Sequence, residues 1–214
     1  MLSKERQLFI NGFKEAEHNQ STGVGLYIMG PGRTIWSTLE LDTSSSMEQK
    51  KEKLSIPIER RQKNESILDN MRAALGEFCG FEDVPGLSSR LFIVGKPELT
   101  SVFAYNQNRL CTLVPMACYA NISPTPFNLS EVKPMGWRRP EQMLLTPSLR
   151  SIASQLIRIG EEKKFWEKGD DRLTKPDKRI PVFGPDFSAE DFISLLSRRD
   201  PRYDILDVNG NTQF

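Results

Sequence analysis

Hydrophobic and polar positions alternate in two neighbouring segments near the start of the chain. Residues 24–28 place apolar side chains at every second position, and residues 34–42 do so again after Gly30-Pro31-Gly32-Arg33. A period of two is typical of β-strands, because successive side chains point to opposite faces of a sheet. The turn residues between the two segments therefore predict a β-hairpin. A helix with a short apolar stripe is predicted before it, over residues 3–18.

After a polar loop at residues 43–53, the spacing of the apolar residues changes from that of a strand to that of a helix. One stripe on a helix is formed by Ile67, Leu68, Met71, Leu75 and Phe78. Proline is favoured in the first turn of a helix, so Pro57 predicts the start of this helix. Glycine is favoured just after a helix, so Gly80 predicts its end.

Three short strands are expected next, at residues 90–94, 101–105 and 109–114, joined by hairpin-length linkers. Residues 116–122 form a fourth strand or continue the third. Because proline cannot donate to a sheet ladder, Pro115 predicts a bulge or an edge position there.

The composition changes after residue 122. Four prolines, at positions 124, 126, 134 and 140, predict an extended connector over residues 123–145 that pairs poorly. A helical extension is expected over residues 146–200, with one helix opening at Thr146-Pro147 and another at Ser188. Residues 201–214 form a polar tail. The sequence leaves open whether residues 123–214 fold separately or wrap around the first part.

The fold class that follows is α+β. Residues 1–122 are expected to form one domain, an antiparallel sheet of about five strands packed with helices in the order α-β-β-α-β-β-β. The C-terminal helical extension is added to it.

Charge and cysteine content narrow the classes of function. Lys and Arg number 29 against 28 Asp and Glu, for a net charge of +1, which argues against nucleic acid as a partner. No apolar run is long enough to predict a transmembrane segment. Three cysteines, an odd number, and no signal-peptide pattern predict free thiols in a cytoplasmic protein.

The residues that carry common chemistry are sparse. His18 is the one histidine and lies at the end of the first predicted helix, so any mechanism that needs histidine would depend on it. The glycines at 23, 25, 30 and 32 lack the spacing of a phosphate-binding loop. Carboxylates are scattered and no metal-ligand spacing occurs. We therefore expect no catalytic residue, no cofactor and no metal.

The order of elements in residues 1–122 resembles the roadblock/LC7 domain of the profilin-like group. In that family a hairpin like residues 24–42 precedes a long helix, and a meander like residues 90–114 follows it. The resemblance implies a scaffold for dimerisation, small-GTPase regulation or adaptor work, without catalytic residues.

The segment Met135-Gly136-Trp137-Arg138-Arg139-Pro140 carries the best candidate interface. Tryptophan and arginine dominate the energetics of protein interfaces, so Trp137, Arg138 and Arg139 are predicted to bind a partner. Phe165 and Trp166 are predicted to contribute. The alternative is that Trp137 folds back onto the sheet.

The resulting prediction is a non-catalytic adaptor or assembly subunit of a cytoplasmic complex of secretion or trafficking type. The sequence does not identify its protein partner and leaves open a homo-oligomer. One alternative is a small-molecule sensor or enzyme, with a pocket between sheet and helix around Tyr27, Trp36 and Tyr105. Another is a structural subunit of a viral or other assembly.

Overall fold

The structure of the chain is a computed structural model that describes residues 4–30, 32–41, 52–79, 91–93, 96–118, 132–166 and 180–181. The helices are α1 (Lys4–His18), α2 (Ile67–Cys79), α3 (Pro140–Leu144) and α4 (Ser151–Glu162). The strands are β1 (Gly23–Gly30), β2 (Thr34–Glu40), β3 (Lys53–Ser55), β4 (Ile58–Arg60), β5 (Leu91–Ile93), β6 (Glu98–Ala104), β7 (Gln107–Cys118), β8 (Val132–Arg138) and β9 (Ile180–Pro181).

One mixed sheet holds all nine of these described strands, which confirms the predicted α+β class. Its main path runs β3-β2-β1-β7-β5-β9, while β4, β6 and β8 pair with β1, β7 and β2 respectively. The sheet differs from the expected antiparallel one because β1 and β7 pair in parallel, with Val24 opposite Thr112 and Met29 opposite Ala117. Two parallel neighbours need a long crossover connection. The crossover from β1 to β7 contains strands β2 to β6 and helix α2.

Strand β1 is the centre of the molecule, since all eight of its residues are buried. Its even-numbered residues face the layer that contains α2, which packs on β1 and β4. Its odd-numbered residues, among them Tyr27 and Met29, face α4. A Cβ on Gly160 would lie 2.4 Å from Cε2 of Tyr27, so this glycine lets α4 approach the sheet closely. Helices therefore cover both faces of the sheet.

The packing on the α4 side forms a hydrophobic core, which we call the α4-side core. It joins Tyr27, Met29, Ile35, Leu54, Ile56, Val102, Cys111, Leu113, Ala117, Met143, Ala153, Leu156, Ile157, Phe165 and Trp166. Residues from β8, α3 and α4 all lie beyond position 122, yet they pair with or pack on the sheet. The described residues beyond position 122 therefore share the sheet and the core of the first part.

The predicted helix between Pro57 and Gly80 is shorter than expected. Its apolar stripe is correct from Ile67 onwards, and Met71, Leu75 and Phe78 are buried. Pro57 does not begin a helix. Its carbonyl accepts a hydrogen bond from the N–H of Leu26, and the residues after it form β4 against β1. Pairing with the buried central strand outweighs the local preference of proline for a helix start.

The connector predicted to pair poorly contains a strand. Strand β8 pairs antiparallel with β2 along its length, with a register shift between Ser37 and Thr38. Pro134 is accommodated next to that irregularity, and Gly136 takes a φ of +80° that favours glycine. Pro140 begins α3, and α4 begins at Ser151 rather than at Thr146-Pro147.

Several sequence predictions fall wholly or partly outside the described residues. Among them are the polar loop over residues 43–53, of which only 52–53 are described, the helix end at Gly80, the strand over residues 116–122 beyond position 118, the connector up to residue 131, the helix expected from Ser188, and the tail from residue 201. No helix among the described residues is long and apolar enough to cross a membrane.

Candidate functional site

A cleft of about 360 Å³ opens between the β6–β7 turn and the start of α4. We call it the turn cleft. It is lined by Lys53, Phe103, Ala104, Tyr105, Asn106, Leu149, Arg150, Ser151 and Ile152. Its volume lies within the range of small-molecule sites in proteins.

The β6–β7 hairpin positions the aromatic wall of the cleft. Ala104 pairs with Gln107, so Tyr105 and Asn106 are the two residues of a tight turn, and their φ angles are +54° and +60°. Positive φ at both positions is the type I′ arrangement, which matches the twist of the flanking strands. Asparagine tolerates this conformation, whereas for tyrosine it costs about 1–2 kcal/mol.

The ring of Tyr105 has a cationic neighbour within the hairpin. The guanidinium carbon of Arg109 lies 5.1 Å from the ring centroid. An exposed cation–π contact of this kind contributes about 0.5–1 kcal/mol. That is less than the cost of the left-handed backbone at Tyr105, so the contact does not by itself explain why tyrosine occupies the turn.

The opposite wall of the cleft is held by a buried ion pair. Arg150 donates from Nη1 to Oε1 of Glu40, and the two side chains are only 11% and 7% exposed. The backbone N–H of Arg150 also donates to the carbonyl of Leu54, while the N–H of Leu54 donates to that of Ser148. These bonds fix the start of α4 against β3.

The charged residues that line this wall, Lys53 and Arg150, are both cationic. Glu40 compensates Arg150, but Lys53 makes no ion pair with any residue in the described ranges. Helix α4 begins here with Arg150 as its N-cap residue and without a side-chain hydrogen bond to the cap. Backbone N–H groups of a first helical turn attract anions. Lys53 and the start of α4 therefore place a cation and backbone hydrogen-bond donors at the cleft.

Strand β6 is secured beside the cleft by one side chain of α4. The amide of Gln155 accepts from the N–H of Phe103 (2.8 Å) and donates to its carbonyl (3.0 Å). The Phe103 side chain itself is 56% exposed. The cleft therefore has an anchored backbone and an exposed aromatic group on its β6 side.

The residues predicted to bind a partner do not line the turn cleft. Trp137 lies in β8 opposite Trp36, and the two rings meet edge to face at 5.1 Å. It also covers Gly30, where a Cβ would lie 2.5 Å from Cε3 of Trp137. Arg138 is half-buried, with an Nε atom that has no hydrogen-bond partner among the described residues, and Arg139 is exposed.

Phe165 and Trp166 lie in the α4-side core, at 0% and 4% exposure. The ring centroid of Phe165 lies 5.5 Å from that of Tyr27, and the indole N–H of Trp166 donates to Glu161. Partner binding by these five residues stays a prediction, since nothing in the fold tests it.

The pocket expected around Tyr27, Trp36 and Tyr105 is only partly matched. Tyr27 and Trp36 are fully buried, and Tyr105 alone of the three lines the turn cleft. Sequence reasoning missed Lys53, Arg150 and Ser151. The signal for Tyr105 and Asn106 was a short linker between alternating segments, but Lys53 and Arg150 are separated by almost a hundred residues and only the fold brings them together.

Within the described ranges, no three His, Cys, Asp or Glu side chains form a group that could hold a metal ion. His18 is exposed at the end of α1. Cys79 and Cys111 are both buried.

No protein-family model matches the sequence. No curated protein matches it either. Solved structures similar to the chain include a MutT protein from Methanosarcina mazei Go1, with 14% identity, a TM-score of 0.45, and coverage of 66% of this chain and 93% of that one. Another is the Nudix hydrolase RenU from M. smegmatis, with 17% identity, a TM-score of 0.46, and coverage of 67% and 86%. A third is an Ap4A hydrolase from C. elegans, with 13% identity, a TM-score of 0.44, and coverage of 66% and 96%.

These comparisons contradict the roadblock/LC7 resemblance, because the similar structures are Nudix hydrolases. The resemblance rested on the order of elements, and that order does not determine which strands pair. The expectation of a non-catalytic adaptor or complex subunit is contradicted by the same finding, since the named structures are those of enzymes.

Proposed function

We propose that the chain is an enzyme whose substrate is a small molecule with an anionic group, such as phosphate, and that the turn cleft binds this group. The observation that carries the proposal is the positive wall of the cleft. Lys53 supplies a charge that no described carboxylate compensates, and it lies beside the first turn of α4. An anion bound there replaces water with charge-assisted hydrogen bonds, which are stronger than neutral ones.

The buried pair of Glu40 and Arg150 has a supporting role in this proposal. Because both side chains are almost fully buried, removal of either would leave an uncompensated charge and disturb the start of α4. Lys53 is therefore the better residue for a test of binding, since its side chain is only half-buried and carries no described ion pair.

The test is the binding of inorganic pyrophosphate by the wild-type chain and by Lys53→Gln, measured by calorimetry at low and moderate salt. We expect the variant to bind about tenfold more weakly, equivalent to about 1.4 kcal/mol, and wild-type affinity to fall with salt. Lys133→Gln removes an exposed lysine of β8 that does not line the cleft, and serves as the matched control. Equal affinities of wild type and Lys53→Gln would contradict the proposal.

Turnover is measured in a second step with the same proteins. Hydrolysis is the first reaction to try. The substrate panel includes Ap4A and ADP-ribose, after the Ap4A hydrolase from C. elegans and a structurally similar NMN adenylyltransferase/ADP ribose pyrophosphatase from Francisella tularensis. Products are separated by chromatography. We expect Lys53→Gln to lower kcat/KM for any substrate that wild type converts.

A cytoplasmic location belongs to the same proposal. It is supported by the odd number of cysteines in the chain.

A further inference from the structure

Tyr105, at the tip of the β6–β7 hairpin, is an unfavourable residue type for the conformation of its own turn. Tyr105 has a φ of +54°, a conformation that asparagine or glycine adopts at much lower cost. Its neighbour Asn106 already has a residue type suited to the turn. A hairpin sequence selected only for stability would not place tyrosine first. An unfavourable backbone conformation of this kind is a starting point for a functional inference.

The contacts of Tyr105 inside the protein do not offset that cost. Arg109 lies over its ring, and this exposed contact is weaker than the backbone penalty. The side chain is only half-buried, so it does not complete a core. What remains is its place in the cleft, where it and the exposed Phe103 form an aromatic side that faces the positive side.

We infer that Tyr105 is a specificity-determining residue of the turn cleft and that it contacts a planar aromatic ring of the ligand. The inference rests on the proposed function and deepens it, because it assigns the ligand two parts. The anionic group lies near Lys53 and the first turn of α4, and the ring packs on Tyr105. Aromatic rings prefer offset or edge-to-face contact, which favours ligands with a ring over aliphatic ones of the same charge.

The experiment compares two probes, phenyl phosphate, in which an aromatic ring is attached to the phosphate, and inorganic pyrophosphate, in which a second phosphoryl group takes the place of the ring. The variants are Tyr105→Asn, which removes the ring and relaxes the turn, and Tyr105→Phe, which keeps the ring. Calorimetry gives the affinities, and thermal unfolding without ligand gives the stability. We expect Tyr105→Asn to bind phenyl phosphate about fivefold to tenfold more weakly. Its pyrophosphate affinity stays within about twofold of wild type, since the ring does not contact the anion.

Two further results are expected. Tyr105→Phe binds both probes as wild type does, because the ring and not the hydroxyl group makes the contact. Tyr105→Asn melts at a higher temperature than wild type, because asparagine suits the left-handed conformation. A lower melting temperature would mean that the ring stabilises the hairpin, and this would overturn the inference.

The failure of this inference differs from the failure of the proposed function. If wild type binds both probes and Tyr105→Asn weakens both equally or neither, the inference is overturned and the anion site stands. If wild type binds neither probe, the proposed function is wrong, and the assignment of Tyr105 is overturned together with it.

Discussion

At the scale of single residues, Glu161 connects α4 to the centre of the sheet. The hydroxyl of Tyr27 and the indole N–H of Trp166 both donate to the same carboxylate oxygen, the latter at 2.6 Å. Burial, and then the hydrogen bond to Glu161, raise the pKa of Tyr27 far above its usual range. The phenol therefore keeps its proton and acts as a donor to Glu161 at any pH where the protein is folded.

Substitution of Glu161 by alanine is expected to destabilise the chain by about 3 kcal/mol, because it leaves two buried donors without a partner. The measurement is urea unfolding followed by tryptophan fluorescence. Glu162→Ala is the matched control, since this neighbouring carboxylate is exposed and its loss should change the free energy of unfolding by about 0.5 kcal/mol or less. A similar loss in both variants would show that the carboxylate is not the common acceptor.

The thiol of Cys111 gives the chain a dependence on alkaline pH. Burial raises the pKa of Cys111 from 9.0 to about 12, against smaller lowering effects of Arg150 and of a backbone hydrogen bond with Gly25. The unfolded chain loses this proton above about pH 9, while the folded chain retains it. Ionisation therefore stabilises the unfolded state, and the free energy of unfolding falls as the pH rises.

Between pH 8 and pH 10, this linkage is expected to remove about 1.3 kcal/mol from wild-type stability. The variant Cys111→Ala is less stable at both pH values because it leaves a cavity, but it should lose about 1.3 kcal/mol less over the same interval. Urea unfolding at both values measures the difference. Equal losses in the two proteins would mean that the thiol ionises normally in the folded chain.

At the scale of elements, the sequence predicted the helices, strands and turns that depend on neighbouring residues. The alternation in residues 24–42 gave the β1–β2 hairpin, and the stripe from Ile67 to Phe78 gave α2. The short linker at Asn106 gave the β6–β7 turn. Each of these features depends on residues a few positions apart, so a window of the sequence contains the information.

Pro115 shows where a local rule was incomplete. It lies within β7, directly opposite Tyr27 of β1. The backbone N–H and C=O groups of even-numbered β7 residues point towards β1, as the hydrogen bond from the N–H of Thr22 to the carbonyl of Leu110 shows. The backbone of Pro115, an odd-numbered residue, therefore points towards the neighbours on the opposite edge of β7. On that side the first residue of β6, Glu98, lies opposite Leu113, and the last residue of β5, Ile93, lies opposite Met116. The missing N–H of proline falls in the gap between two short strands, and a central strand tolerates it.

At the scale of the whole molecule, the candidate site could not be predicted because it depends on pairings of distant segments. Lys53 reaches the cleft through the pairing of β3 with β2, and Arg150 through its bonds to Glu40 and Leu54. The class α+β could be predicted, because it follows from the types of the elements. The parallel pairing of β1 with β7 could not, because it is set by the burial of both strands between two helical layers.

The same long-range packing predicts how the chain depends on residues beyond position 122. The α4-side core receives from this part the buried side chains of Met143, Leu156, Ile157, Phe165 and Trp166. Burial of each such side chain contributes about 1.5–3 kcal/mol, so their joint removal costs on the order of 10 kcal/mol, similar to the whole stability of a typical domain. Loss of β8 would also expose the edge of β2.

A chain cut after Ile122 is therefore expected not to fold by itself. Urea titration followed by circular dichroism should show no cooperative transition in this fragment, whereas the full chain should show one. The fragment should also bind a hydrophobic dye, because Tyr27, Met29 and Leu113 would lose their cover. A cooperative transition in the fragment would instead show that residues 1–122 are an independent domain and that β8 and α4 are accessory to it.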